Sequence, residues 1–257
     1  MKRIAIVTGA SSGVGREFVR QLDELKGGPL DALWIIARSA NRLEEVAASC
    51  KNIPAIPIPC DLANEDSFAM LEEMLDDPDI VVEWLINSAG FGKFGDYQTV
   101  GQRQNALMVQ LNCLGVVQMC SIVLPHMHAG SRIVNLSSIA GAIPQVMLAT
   151  YSATKAFVLE LSRMLDYELS PCGIHVTAVC PKFMKTRFLD NPGNSEAANG
   201  MCRIGFEDVS RVVSKALKKS VMGKGFCVPS LDMRLLYAAS RLMPRKLLFR
   251  VEDLLFR

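Results

Sequence analysis

Short, nearly all-apolar runs alternate with longer segments of helical periodicity along this chain, and that alternation restricts its fold more than any other feature. The runs are 3–7, 33–37, 55–59, 84–87, 132–136, 175–180 and 225–228. Strands buried on both faces of a parallel sheet read this way, because neither face meets water. Between them, 13–26, 41–50, 64–75, 101–127, 151–170 and 207–220 carry helical patterns; in the first, Val14, Phe18, Val19 and Leu22 fall on one side. Strand–helix–strand alternation with right-handed crossovers predicts an α/β fold: one doubly wound parallel sheet of about seven strands, with helices on both faces. Ligands of such sheets bind at the carboxyl ends of the strands.

A chain of 257 residues suits a single unit of this kind. Residues 1–230 are assigned to it, including a loop at 183–206, and 231–257 to a C-terminal extension. A net charge of +2 argues against a nucleic-acid partner. The eight cysteines form no CxxC and have no histidine at metal-finger spacing; they read as buried thiols of a reducing compartment, with no metal site. The apolar run at the N-terminus is too short for a signal peptide, and no uncharged stretch is expected to reach the ~18 residues that span a bilayer. A cytoplasmic protein is the expectation.

The first strand runs into Thr8-Gly9-Ala10-Ser11-Ser12-Gly13-Val14-Gly15, and a helix follows. Glycine lets the backbone turn tightly and approach a pyrophosphate, while the helix N-terminus offers free N–H groups and a positive dipole end. Ser11 and Ser12 add hydroxyl donors. An ordinary glycine-rich turn is the alternative, but the strand–turn–helix context favours a dinucleotide. The second strand ends in Arg38-Ser39 rather than in an acidic residue. A guanidinium suits a 2′-phosphate, so the chain is expected to take NADP(H) over NAD(H), a solvated surface arginine being the alternative. Asp61 and Leu62, after the third strand, and Asn87, Ala89 and Gly90, after the fourth, fall at ends that face the same ligand; Asp61 offers an acceptor to an adenine amine.

Tyr151 and Lys155 stand one helical turn apart and so share a face. A phenol titrates near 10 on its own, and a neighbouring ammonium stabilises the phenolate, so its value is expected to fall toward neutrality. Such a group gives and takes protons. Ser138, just past a buried strand, can hydrogen-bond a carbonyl oxygen beside the phenol. Asn112 lies in a largely apolar helical stretch, where a buried amide needs a partner.

Taken together, TGxxxGxG at 8–15, Asp61-Leu62, NxAG at 87–90, Asn112, Ser138 and YxxxK at 151–155 resemble the short-chain dehydrogenase/reductase family, in order and spacing, over essentially the whole chain. The resemblance implies a Rossmann-type fold and an NADP(H)-dependent oxidoreductase acting on a carbonyl or secondary alcohol. It makes Tyr151 the general acid/base, Lys155 the group that lowers the Tyr151 pKa and holds the nicotinamide ribose, Ser138 the residue that orients the substrate oxygen, and Asn112 the holder of a relay water. Pro181 would lie near the nicotinamide, and Thr186 near the nicotinamide amide or the phosphates. It also implies pairing of the helices 101–127 and 151–170 into a homodimer or homotetramer. Two positions depart from the pattern: Lys182, where the family usually has glycine, and Ser88, where it has a second asparagine. Neither removes a catalytic group. A non-catalytic NADP(H)-binding regulator on the same fold is the alternative; epimerisation or dehydration on the same cofactor is a third reading.

Phe91, Phe94, Ile143, Val146, Met147, Leu148, Met184 and Phe188 flank these motifs and suggest a pocket for a hydrophobic ketone, steroid or lipid-like alcohol, with 183–206 as a lid; core packing is the equal alternative. The segment 233–257 mixes leucines with arginines, and Pro244 is expected to split it into two helices. Packing over the cleft or against another subunit is favoured there over contact with an anionic membrane.

Overall fold

A computed structural model describes residues 1–25, 30–143, 145–186, 205–242 and 244. The strands are β1 (Lys2–Thr8), β2 (Ala32–Ala37), β3 (Ala55–Pro59), β4 (Ile80–Asn87), β5 (Arg132–Leu136), β6 (His175–Val179) and β7 (Phe226–Cys227). They form one seven-stranded sheet in the order β3-β2-β1-β4-β5-β6-β7, with every pairing parallel. All seven expected strands are present. The order reverses between β1 and β4, so the connections leave these two strands in opposite directions and open a crevice at their carboxyl ends.

The helices are α1 (Gly13–Asp23), α2 (Ala40–Ser49), α3 (Asp66–Leu75), α4 (Tyr97–Val100), α5 (Gln102–Val109), α6 (Gly115–Val123), α7 (Ile139–Ala142), α8 (Ala149–Leu169), α9 (Val209–Val221) and α10 (Leu231–Leu242). Side chains alternate across a strand, and β1 shows what this does. Ile4 and Ile6 pack with Phe68 and Leu71 of α3, Met119 and Val123 of α6 and Val158 of α8. Ala5 and Val7 pack on the other face with Phe18 and Leu22 of α1, Leu43 of α2 and Val212 and Val213 of α9. Both faces are therefore core, which explains why the strand is apolar from Ile4 to Val7. Full burial of each such side chain contributes roughly 1.5–3 kcal/mol.

The structure corrects three sequence readings. The single helix expected at 101–127 is interrupted by a π turn, Gln110–Leu114, between α5 and α6, and ends in a 3₁₀ turn, Leu124–His126. A π turn takes more residues per turn and re-aims side chains; here it carries the fully buried Asn112. The run Gln102–His126 is also long and apolar enough, by length and composition, to cross a membrane, contrary to the expectation of no such stretch. In this fold its buried side places Val116, Met119 and Val123 in the core. Finally, α4 and α7 were not anticipated, since four residues show no helical period.

α10 buries Met233 against Ile139, Ile143, Leu159 and Val228, with Tyr237 packed beside them. The second helix expected after Pro244 and most of the proposed lid, including Phe188, lie outside the described residues.

Candidate active site

A cleft of about 980 Å³ opens at the carboxyl ends of the strands. On its phosphate side, Gly9 and Gly13 have φ of +66° and +55°, a region that side chains disfavour. Any Cβ on Gly9 would sit 2.9 Å from the backbone of Ala89, so β1 and the turn after β4 touch at that point. The Thr8 hydroxyl fixes the contact by accepting hydrogen bonds from Ser88 N at 3.0 Å and Ala89 N at 3.1 Å. Ser12 caps α1 without a side-chain bond to the helix, and no acidic residue occupies the first turn. The helix N-terminus therefore presents free N–H groups and positive dipole to the cleft.

Gly9, Ser11, Ser12, Gly13, Val14, Arg38, Ser39, Asp61, Leu62, Ala89, Gly90, Ser138, Tyr151, Lys155, Pro181 and Thr186 all line the cleft. Three other sequence candidates do not. A Cβ on Gly15 would run into the Gly9 carbonyl, so this glycine lets α1 pack under the turn. Asn87 is buried and donates to Asn135 Oδ1 at 2.9 Å, while Asn135 donates to Ser162 Oγ at 3.0 Å; this chain ties β4 and β5 to α8. Asn112 is wholly buried: its Oδ1 accepts from Phe91 N at 3.0 Å, and its Nδ2 donates to Phe91 O at 2.9 Å and Thr154 Oγ1 at 3.1 Å. It clamps the turn after β4 to α8. Its neighbourhood to the reacting end is nonetheless close, because a Cβ on Gly90 would meet both Asn112 Oδ1, at 3.0 Å, and Lys155 Nζ, at 3.3 Å.

The catalytic candidates converge. Ser138 caps α7 and shares a side-chain hydrogen bond with Tyr151. Lys155 Nζ lies 5.8 Å from the Tyr151 ring centre and donates to Leu136 O at 2.8 Å. Ser137 Oγ donates to the Lys155 carbonyl at 2.7 Å, and Gly141 lets α7 press against that same carbonyl. The registration of α8 on β5 is thus set from several sides.

The electrostatics run opposite to the sequence expectation for the phenol. Burial pushes Tyr151 up from its usual 10 to about 12, against the pull of the Ser138 hydrogen bond. The same burial pushes the Lys155 ammonium down from 10.5 to about 8. In both groups desolvation outweighs the hydrogen bond or charge that opposes it. At neutral pH the phenol keeps its proton, and the ammonium lies within reach of physiological titration.

Sequence reading missed Arg42, which joins Arg38 and Ser39 on the cleft wall. Its position one helical turn from Arg38, at the start of α2, was the available signal. Of the proposed pocket residues, Phe91 and Met184 line the cleft, joined by Leu111, Ile139 and Phe183. Ile143 and Leu148 are instead buried in packing, and Phe94 lies against Phe183 with ring centres 6.1 Å apart.

A family model described as short chain dehydrogenase matches residues 3–197. A very-long-chain 3-oxoacyl-CoA reductase of Aspergillus terreus is 33% identical over 187 residues, covering 68% of this chain and 51% of that protein. The chain spans about half the length of the fungal relatives it matches. Among solved structures, a short-chain dehydrogenase from Sphingobium yanoikuyae in complex with NADPH superposes with a TM-score of 0.76 at 27% identity, covering 94% of this chain and 92% of that one. The bulky-bulky ketone specific alcohol dehydrogenase from Comamonas testosteroni does so with a TM-score of 0.75 at 26% identity, over 94% and 92%. With the parallel sheet, the glycine turn and the Ser138–Tyr151–Lys155 cluster in one cleft, the chain belongs to the short-chain dehydrogenase family.

Proposed function

We propose that this protein is an NADP(H)-dependent oxidoreductase that interconverts a carbonyl and a secondary alcohol on a hydrophobic substrate. The observation that carries the reading is the hydrogen-bonded Ser138–Tyr151 pair beside Lys155, in the same cleft as the glycine turn. The cleft fits a dinucleotide: side chains are missing where backbone must be approached, and an uncapped helix end faces the phosphate position. Arg38, Ser39 and Arg42 surround the N-terminus of α2, which has no acidic residue in its first turn. Two guanidinium groups at a helix N-terminus suit a 2′-phosphate. The NADPH-bound structural relative supports the same preference.

When bound, the dinucleotide supplies or accepts the hydride at its nicotinamide. In the reducing direction Tyr151, protonated at neutral pH, gives its phenolic proton to the substrate oxygen. Ser138 holds that oxygen by its hydroxyl, and Lys155 serves as the adjacent proton source. Leu111, Ile139, Phe183 and Met184 give the reacting end an apolar wall. That wall, with the names of the two relatives, supports ketones flanked by bulky or long-chain groups, 3-oxoacyl thioesters among them. The proposal includes a homodimer or homotetramer, since α8 leaves Phe157, Met164 and Tyr167 exposed.

Tyr151→Phe tests the assignment. Turnover of NADPH with a ketone panel is expected to fall at least ~10³-fold, with NADPH affinity unchanged. Turnover retained within ten-fold would remove Tyr151 from the chemistry.

A further inference from the structure

In the segment after β6, 181–186, Pro181, Lys182, Phe183, Met184 and Thr186 line one edge of the cleft. Its Pro181 carbonyl accepts from Ile139 N at 2.9 Å, at the catalytic end. At the other end the Thr186 side chain lies where a Cβ on Gly13 would meet it, at 3.4 Å. The Pro181 end is therefore tied to α7, and the Thr186 end lies beside the glycine turn. Between these ends stands Lys182, a residue that is neither small nor free to point outward: its side chain is 11% exposed. Its Nζ donates to Asp232 Oδ2 at 2.7 Å, in the first turn of α10. The Lys182 hydrogen bond holds the Asp232 carboxyl below the usual carboxylate range. The backbone of the segment is stitched independently to Glu207, whose Oε2 accepts from Lys182 N at 2.9 Å and whose N donates to Phe183 O at 2.8 Å.

We propose that Lys182 is a positioning residue whose ion pair with Asp232 straps the cofactor-facing segment 181–186 to α10. The C-terminal helix thereby sets the stiffness of the dinucleotide cleft. α10 is itself anchored to the catalytic wall, by Met233 against Ile139 and Ile143 and by Tyr237 accepting from Arg163 at 2.9 Å. The pair links two anchored bodies, so breaking it removes one tie on the segment between them and leaves the backbone bonds to Glu207 in place. This rests on the dinucleotide reading of the cleft.

The test uses the full chain with Lys182→Met, Asp232→Asn, Lys182→Arg and the charge exchange K182D/D232K. NADPH affinity is read by fluorescence, and backbone exchange of 181–186 by hydrogen–deuterium exchange without cofactor. Lys182→Met and Asp232→Asn are expected to weaken NADPH at least about five-fold and to speed exchange in 181–186; Lys182→Arg and the exchanged pair restore both. High salt should weaken NADPH binding further in the wild type than in Lys182→Met. A purely structural lysine would lower the melting temperature of both single variants while leaving affinity and exchange unchanged, and that result overturns the proposal. If the wild-type chain bound no NADPH, the dinucleotide reading would fail; unchanged exchange in 181–186 would still decide against the strap by itself.

Discussion

The two walls of the cleft are built on opposite principles. The phosphate wall works by omission: Gly9, Gly13 and Gly15 leave room for backbone to approach its neighbours or a ligand, and the N-terminus of α1 is left without a side-chain cap. The catalytic wall works by addition, with Asn112, Thr154, Lys155 and Ser137 all buried and hydrogen-bonded in place. A wall defined by missing atoms fails when anything is added. A wall defined by buried polar groups fails in proportion to the partner removed. The contrast predicts that errors on the first side act through geometry and errors on the second through protonation and rate.

The largest effect belongs to the phosphate wall. Gly15→Val drives side-chain carbon into the Gly9 carbonyl, backbone that has little room to yield, and against the Ser88 hydroxyl. NADPH binding is expected to weaken at least ~100-fold, with a melting temperature lowered by ~5 °C or more. Titration and thermal melts check this. A Gly15→Val protein that binds NADPH normally would break the distinction between the walls, in contrast to Tyr151→Phe, which should lose rate alone.

Lys155→Met probes the other wall. Turnover should fall ~10²-fold as the proton source beside Tyr151 disappears. Stability should change in the opposite sense. Because burial moves Lys155 from 10.5 down to about 8, the unfolded chain keeps a proton between those values that the folded chain has already released. More protons on the unfolded state means that this group's contribution to stability rises with pH across that window; below about pH 8 both states are charged and the full burial penalty stands. Lys155→Met should therefore be the more stable protein below pH 8, by on the order of 3 kcal/mol, with the gap closing toward pH 10.5. Groups not coupled to Lys155 titrate alike in both proteins and cancel in the difference, whereas the buried thiols Cys113 and Cys180 feel the Lys155 charge and rise further without it. Urea melts at pH 7 and pH 10 give the answer, and a gap that fails to narrow would refute the buried-ammonium account.

The two walls were not equally legible in the sequence. Omission is visible in one dimension: the glycine turn and its place between β1 and α1 could be read from residue order. The largely apolar strands were legible for a related reason, since burial on two faces leaves few polar positions. Addition is harder to read. Asn112 could be identified as a polar residue in an apolar helix, but not as a clamp on Phe91, because that contact closes only when the π turn brings the loop after β4 against α8. The direction of the Tyr151 shift was misread for the same reason: spacing on a helix shows the ammonium but not the burial that raises the phenol. Apolar pattern likewise separates neither Ile143 and Leu148, which are core, nor Leu111 and Ile139, which face the cleft.

Between the two principles stands the β2 end, where Arg38 and Arg42 are exposed side chains beside the uncapped start of α2. Neither is fixed by close packing, so removing one should change charge and leave geometry alone. Arg42→Ala is accordingly the mildest substitution: KM for NADPH should rise roughly five- to ten-fold, in line with one charge-assisted hydrogen bond lost at the cleft edge. KM for NADH, which lacks the 2′-phosphate, should stay constant, and the NADPH effect should shrink at high salt because the pair is solvent-screened. Steady-state kinetics with both cofactors separates these outcomes. An equal loss for NADH would mean that Arg42 shapes the adenine side of the cleft, and the 2′-phosphate assignment would then rest on Arg38 alone.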